Sequence, residues 1–380
     1  MKENNHRETK DGLQKKIDKK TIHSKKTKEI FRVEQQLPKD LSNREWKEFF
    51  VIMNQVHKET YPIDDPLPDH EQIKKGLLKH LNNYNRHFWY VYSSNDTLIA
   101  YGSFVYTNSN NPDYYRSEHK CQAHIFINKD YRRIELATNL LKIIVAKAKE
   151  EGKTILQSDV YLDSAVNFIE KVLDAKPAKV GYENRLYFDK VDWDKMHTWV
   201  IEGKQRAVGA VTKFYTEIPD EIVQEYCDLF NATLEDEPSG ELEETFTLTP
   251  KLNREYLKDC KEKGIAWISA LTFEEDGTIS AVSEVIYNPK RALEGSQGFT
   301  AVKKEFRGRG LGKWIKAAML LHLRENYPTI KYFRAGNASA NAAMLSINRR
   351  MGFNTIFHRY DFNLKIAEID RKLFGERGIL

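Results

Sequence analysis

Cysteine is scarce in this chain of 380 residues: there are 3, Cys121, Cys227 and Cys260, widely spaced and in no C-x-x-C arrangement. That excludes a disulfide-stapled scaffold and a thiolate metal cluster, and it suits a reducing compartment, so a cytoplasmic location is expected. Long apolar runs are missing too. None reaches the roughly 18 residues needed to span a bilayer, so no membrane partner is expected, and the polar N-terminus has no signal-peptide core. A strong charge of one sign is also absent. The net charge of +5 suits an anionic cofactor but calls for no nucleic acid. Neither G-x-G-x-x-G nor G-x-x-x-x-G-K-[ST] occurs in the stretch that proves most informative below.

The composition is otherwise that of an ordinary globular protein, with 41% hydrophobic and 30% charged residues, and the length allows two cores. Residues 1–28 lack Phe, Trp and Tyr and repeat Lys15–Lys16, Lys19–Lys20 and Lys25–Lys26. They read as a basic, solvated tail. Apolar periodicity then predicts helices over 46–56 and 69–84 and strands over 88–92, 97–106 and 121–127. A helix over 135–149, a strand over 155–160, a helix over 164–173 and a strand over 184–188 follow. A polar, tryptophan-containing segment, 191–207, reads as a linking helix. After it the plan returns: helices over 220–232 and 251–263, a hairpin (266–272 and 278–287) turning at Asp276–Gly277, and a strand over 298–302. The chain ends with a helix over 311–323, a strand over 330–334, a helix over 340–350 and a strand over 355–364. A repeat of roughly 170 residues is too long for a solenoid unit. It predicts two similar α/β domains with mixed sheets, over 29–190 and 208–380.

The chemistry concentrates at Phe306–Arg307–Gly308–Arg309–Gly310–Leu311–Gly312–Lys313. A strand precedes it and a strongly periodic helix follows. Glycines let backbone N–H groups converge on an anion, the helix N-terminus adds its positive dipole end, and Arg307, Arg309 and Lys313 bring countercharge. Downstream, Asn341 opens a helix whose apolar residues Met344, Ile347 and Met351 lead to Gly352–Phe353. Ser339 is a candidate N-cap, and Gly352 suits the left-handed position past the last turn.

Together these two motifs resemble the GNAT acetyltransferases. That family pairs an arginine–glycine pyrophosphate loop with a later N-x-x-A-x-x-x-Y-x-x-x-G-F helix, and Asn341, Gly352 and Phe353 keep that spacing. The resemblance is concentrated over 217–364. It implies acetyl-CoA as co-substrate, bound by Arg307, Gly308, Arg309, Gly310, Leu311, Gly312, Lys313 and Asn341. A backbone donor from Ala301 or Val302 would face the thioester oxygen, and no metal is required. It further implies direct attack by a primary amine, either a small molecule or an exposed amino group. The family's tyrosine, a general acid for the leaving thiolate, falls at Asn348 here, and Tyr332 and Tyr360 are possible substitutes from strands. Among the acids, Glu284 lies inside an apolar strand, where a carboxylate is unexpected, and is the first choice for general base. Glu294 and Glu305 are the other choices. The acidic loop 235–244 would border the acceptor side.

The first half carries Tyr131–Arg132–Arg133–Ile134–Glu135–Leu136–Ala137 where the loop should be. Arg132 matches Arg307, but Glu135 stands where Gly310 does, which adds a side chain and a charge that repels phosphate. The helix over 164–173 lacks a clear counterpart of Asn341, and the Gly–Phe ending is missing. This half reads as a degenerate copy. Tandem GNAT proteins, mycothiol-synthase-like ones among them, pair an active with an inactive domain in this way. A non-catalytic acyl-CoA-binding or regulatory protein is the rival reading, motivated by Asn348.

Overall fold

The computed structural model describes residues 19–62, 65–79, 82–111, 114–235, 247–338 and 342–375. In chain order the elements are β1 (Lys19–His23), β2 (Ile30–Gln35), α1 (Asn43–Thr60), α2 (His70–Leu78), β3 (Tyr84–Tyr92), β4 (Leu98–Thr107), a short α3 (Tyr114–Ser117), β5 (Lys120–Ile127), α4 (Leu136–Glu150) and β6 (Ile155–Val160). Next come α5 (Asp163–Phe168), continued by a π-turn over Ile169–Leu173, then β7 (Lys179–Tyr187), α6 (Trp193–Arg206), β8 (Val211–Tyr215), α7 (Val223–Glu235) and α8 (Pro250–Glu262). The chain closes with β9 (Ala266–Phe273), β10 (Ile279–Tyr287), β11 (Glu294–Val302), α9 (Leu311–Asn326), β12 (Tyr332–Ala338), α10 (Ala342–Met351), β13 (Asn354–Lys365) and α11 (Ile366–Phe374). The expected mixed α/β architecture is present. Sequence periodicity did not reveal β1, β2, β8 or α11, which are short or half-exposed.

Two compact units form. One draws on Met1–Lys58, Leu67–Leu156 and Lys365–Leu380, the other on Glu59–Pro66 and Gln157–Leu364. The interval 29–190 of the sequence reading is therefore shared between them. In the first unit β1 to β5 pair antiparallel in succession. Aromatic residues of α1, Trp46, Phe49 and Phe50, pack with Tyr90, Tyr92 and Tyr101 of the sheet.

In the second unit β8, β9, β10 and β11 pair antiparallel, and β11 then pairs parallel with β12. Strand β7, encoded in the first half of the sequence, lies between β12 and β13 and is antiparallel to both. The β9–β10 hairpin turns where Gly277 adopts φ +90° and Asp276 accepts the Thr278 N–H at 2.9 Å. Helix starts follow the capping rules: Asp192 accepts from Lys195 N at 3.0 Å, and Thr249 from Leu252 N at 3.2 Å.

Segment 191–207, expected as a linking helix, forms α6 and packs into the core. A Cβ placed on Gly203 of α6 would stand 2.5 Å from Trp314 Cβ, so glycine is what lets α6 lie against α9. Trp199, Met196, Trp314, Ile315 and Met319 are buried together there. Another buried group holds 59–66 to this unit. Asp65 accepts from Arg185 and, at 3.1 Å, from the Tyr332 hydroxyl. Arg291 also pairs with Asp65 at 3.4 Å.

Candidate active site

Strands β11 and β12 are joined at three positions, Glu294↔Tyr332, Gly295↔Phe333 and Ser296↔Arg334, and there the pairing stops. β11 continues along β10 to Val302 while β12 continues along β7 to Ala338. Two adjacent parallel strands thus part, and the opening between them leads to the arginine–glycine loop. Beside the parting, β11 carries one extra residue between Gln297 and Thr300, so it bulges opposite Glu284. Gly298 sits in this bulge, where a Cβ would come 3.3 Å from Glu284 Cβ.

The loop itself turns tightly between β11 and α9. Arg307 is extended and its Nε donates to Val302 O at 3.0 Å, which closes the turn. Gly308 and Gly310 take φ of +84° and +83°, a region that is steric strain for other residues. Gly310 caps α9 from that conformation, leaving the first N–H groups of the helix facing outward. A Cβ on Gly312 would make an ordinary contact, at 3.4 Å, with Ile347 Cδ1 of α10.

The cationic rim differs in part from expectation. Arg309 is engaged by Glu274 at 3.0 Å, whereas Lys313 lies over the Trp199 ring at 5.6 Å. Lys195 and Arg350 share that ring at 5.7 and 5.5 Å. Arg206, at the end of α6, comes within 3.2 Å of where a Gly310 Cβ would be. Sequence reasoning missed Arg206 because it arrives from a distant helix; no local pattern marks it. The candidate donors Ala301 and Val302 lie on the stretch of β11 beyond the parting, next to the loop. Asn341, the proposed cap Ser339 and all but the first residue of the acidic loop 235–244 fall outside the described residues.

Glu284 is 1% exposed. It accepts hydrogen bonds from the Tyr226 hydroxyl at 2.7 Å and from Ser269 Oγ at 2.9 Å. Burial raises its carboxyl pKa above the ordinary range, against the opposing effect of these donors. Strand alternation separates it from Val285, which joins the α9 side of the sheet, while Tyr226 belongs to the cluster on the α7 side. The other acids lie elsewhere. Glu294 begins β11 and is tied to Arg291 at 2.7 Å and to the Tyr332 hydroxyl at 3.2 Å. Glu305 is solvent-facing and paired with Lys303 at 3.1 Å.

Asn348 is 2% exposed and, with Leu345 and Met351, forms the buried stripe of α10. The expected stripe of Met344, Ile347 and Met351 is thus rotated: a polar residue takes its centre. Asn348 lines a cavity of about 290 Å³ with Tyr182, Asn184, Phe353 and Thr355. Gly352 has φ +101°, and Phe353 N returns to Asn348 O at 3.0 Å, as the Gly–Phe ending implied. Of the two substitute phenols, Tyr332 is directed into the Asp65–Glu294 group and Tyr360 contacts His358 at 3.4 Å, so neither is seen at the parting.

The three thiols are unsuited to nucleophilic work. Burial pushes Cys121 up to about 12 and Cys227 up to about 11, and raises Cys260 as well. Among the described residues no cluster of His, Cys, Asp or Glu could hold a metal ion, and no helix is long and apolar enough to cross a membrane.

Comparison with known proteins fits this geometry. Residues 46–175 match the model of the acetyltransferase (GNAT) family. Among solved structures, a tandem GNAT protein from the clavulanic acid biosynthesis pathway is similar at TM-score 0.67 and 15% identity, over 88% of this chain and 98% of that one. A GCN5-related N-acetyltransferase from Sphaerobacter thermophilus is similar at TM-score 0.58 and 14% identity, over 88% and 96%. No curated protein matches. Residues 46–175 thus match the GNAT family model, and the chain has the fold of tandem GNAT proteins. The family match falls on the half in which the sequence reading found the weaker loop.

Proposed function

We propose that the protein is an acetyl-CoA-dependent N-acetyltransferase whose working site lies in the second unit, between β11, β12 and α9. The observation that carries this reading is the coincidence of three features. They are an opening between parallel strands, a two-glycine cradle at the N-terminus of α9, and a buried carboxyl group at the bulge between them. The residues fit the co-substrate. Gly308 and Gly310 present the loop backbone, α9 offers its dipole, and Arg206, Arg307 and Lys313 supply charge to a pyrophosphate. In this reading Asn341 would lie along the coenzyme arm, and Leu311 and Gly312 would bring N–H groups to the phosphates.

Glu284 would accept the proton of an attacking primary amine, directly or through water. Its raised pKa strengthens it as a base, and Tyr226 and Ser269 fix its orientation. Open-edge N–H groups at Ala301 or Val302 would face the thioester oxygen as charge develops. The acceptor is a small amine or an exposed amino group. Asn348 favours one rival, a protein that binds acyl-CoA without turning it over, because an amide cannot deliver a proton as a phenol does.

The test is a screen of primary amines, following thiol release from acetyl-CoA, with wild type and Glu284→Gln side by side. Acetylation of at least one amine, slowed by about 100-fold or more in the variant, is expected. Binding of acetyl-CoA with no amine acetylated would favour the rival.

A further inference from the structure

The catalytic account above leaves the departing sulfur without a proton donor, since Asn348 stands where a phenol would be. A buried lysine is present on the opposite side of the same bulge. Lys316, on α9, is 2% exposed. Its Nζ donates to Gln297 Oε1 at 2.6 Å. Gln297 is the first β11 residue beyond the last rung shared with β12. It in turn donates to Glu284 O at 2.7 Å and to Ser283 Oγ at 3.2 Å, across the bulge. Lys316 is therefore wired to the parting itself.

The charged groups on the surrounding elements include Lys313, Arg324 and Glu325 of α9, Asp194, Lys195, Glu202 and Arg206 of α6, Glu284 of β10, Glu294 of β11, Arg334 of β12, and Arg349 and Arg350 of α10. Among the described residues none of them forms an ion pair or hydrogen bond with Lys316. Its other recorded neighbour is the Phe353 ring, 5.8 Å from Nζ. A buried cation without an anion is costly to retain. Burial alone pulls its pKa down to about 7, so it can hold and release a proton near neutrality.

Building on the acetyltransferase reading, we infer that Lys316 is the proton donor to the coenzyme A thiolate, in the role Asn348 cannot fill. As the amine attacks and the C–S bond breaks, sulfur keeps the bonding electron pair. The Lys316 ammonium gives sulfur a proton and becomes a neutral amine, which is reprotonated from water. The proton lost by the attacking amine goes to Glu284, so charge and protons balance.

The experiment compares wild type, Lys316→Met and Lys316→Arg. Thermal melting and acetyl-CoA affinity by calorimetry first establish that each variant folds and binds. The thiol of bound coenzyme A is then titrated by its ultraviolet thiolate absorbance, which needs no acceptor. In wild type Lys316 is already neutral where a thiol titrates, so the bound thiol should ionise much as free coenzyme A does. Lys316→Arg, which stays cationic beside the sulfur, should make it ionise about tenfold more readily, and Lys316→Met should not. With an acceptor in hand, both variants should lose about 100-fold in kcat with little change in KM, because arginine does not release its proton. The alkaline fall of activity near the lysine's pKa should vanish with it. Equal thiol ionisation in Lys316→Arg and wild type would overturn the assignment while leaving coenzyme A binding intact. Failure of wild type to bind coenzyme A at all would instead overturn the acetyltransferase reading, and this inference with it.

Discussion

The two arginine loops of this molecule share a backbone and differ in what fills it. In the second unit Arg307 Nε holds Val302 O at 3.0 Å; in the first, Arg132 Nε holds Ile127 O at 3.1 Å. Gly308 and Gly310 sit at φ +84° and +83°, while Arg133 and Glu135 sit at +66° and +69°. Each loop follows a one-turn 3₁₀ helix and caps the helix after it from the left-handed region. The first loop, however, is filled by its own chain. Glu135 Oε2 accepts the Lys25 backbone N–H at 2.9 Å, and Lys26 Nζ donates to Arg133 O at 3.0 Å, from the turn that joins β1 and β2. A carboxylate that takes an N–H is the reverse of a cradle that offers N–H groups to phosphate. Loop conformation is thus inherited from the fold, whereas anion binding depends on which side chains the loop tolerates.

The comparison can be tested in descending order of effect. Glu284→Gln should cost the most in turnover, about 100-fold or more. The pH dependence carries a second signature. Burial raises the folded-state pKa of Glu284, so its neutral form is favoured in the folded protein. That contribution to stability is complete below the unfolded pKa and is lost as pH rises through the raised folded value. The variant should therefore show a smaller loss of Tm than wild type as pH rises above the ordinary carboxylate range. Activity runs the other way, rising with pH as the carboxyl group ionises.

Tyr226→Phe should act more gently. It removes a donor that favours the carboxylate, so the acid limb of the activity profile should move to higher pH while the plateau rate stays within a few-fold. An unmoved limb would show that the Tyr226–Glu284 bond plays no part in setting the base. The smallest effect is expected in the first unit. Glu135→Gly removes one contact to Lys25 and relieves left-handed strain on a non-glycine residue, so its net change in stability should stay within about 1 kcal/mol. Its use is the stoichiometry of acetyl-CoA, which should remain unchanged because the Lys26 contact still fills the loop.

Much of this was legible in the sequence where one residue type is forced by its backbone. Gly310 and Gly352 announced left-handed caps, Asp276–Gly277 a turn, and Glu284 an acid among apolar neighbours. The alternation of helices and strands gave the tandem α/β plan. Other features were hidden because they depend on distant segments. Segment 191–207 looked polar, yet Gly203 admits Trp314 and makes it a core helix. β7 reads as the end of the first domain but completes the sheet of the second unit. Lys316 was invisible for a related reason: it interrupts the apolar face of α9 at a position that helical periodicity counts as surface. Asn348 was noticed as a missing tyrosine, but the cavity it lines appears only once β7 and β13 are in place.

The central claim is that one loop binds coenzyme A and the other does not, and isothermal calorimetry of acetyl-CoA against wild type and Gly310→Glu addresses it most directly. The variant copies Glu135 into the second loop, at a φ the first loop shows a glutamate can hold, so its fold should persist. One site per chain in wild type, lost in the variant, is the expected result. Two sites in wild type, or an unchanged affinity in Gly310→Glu, would contradict the account.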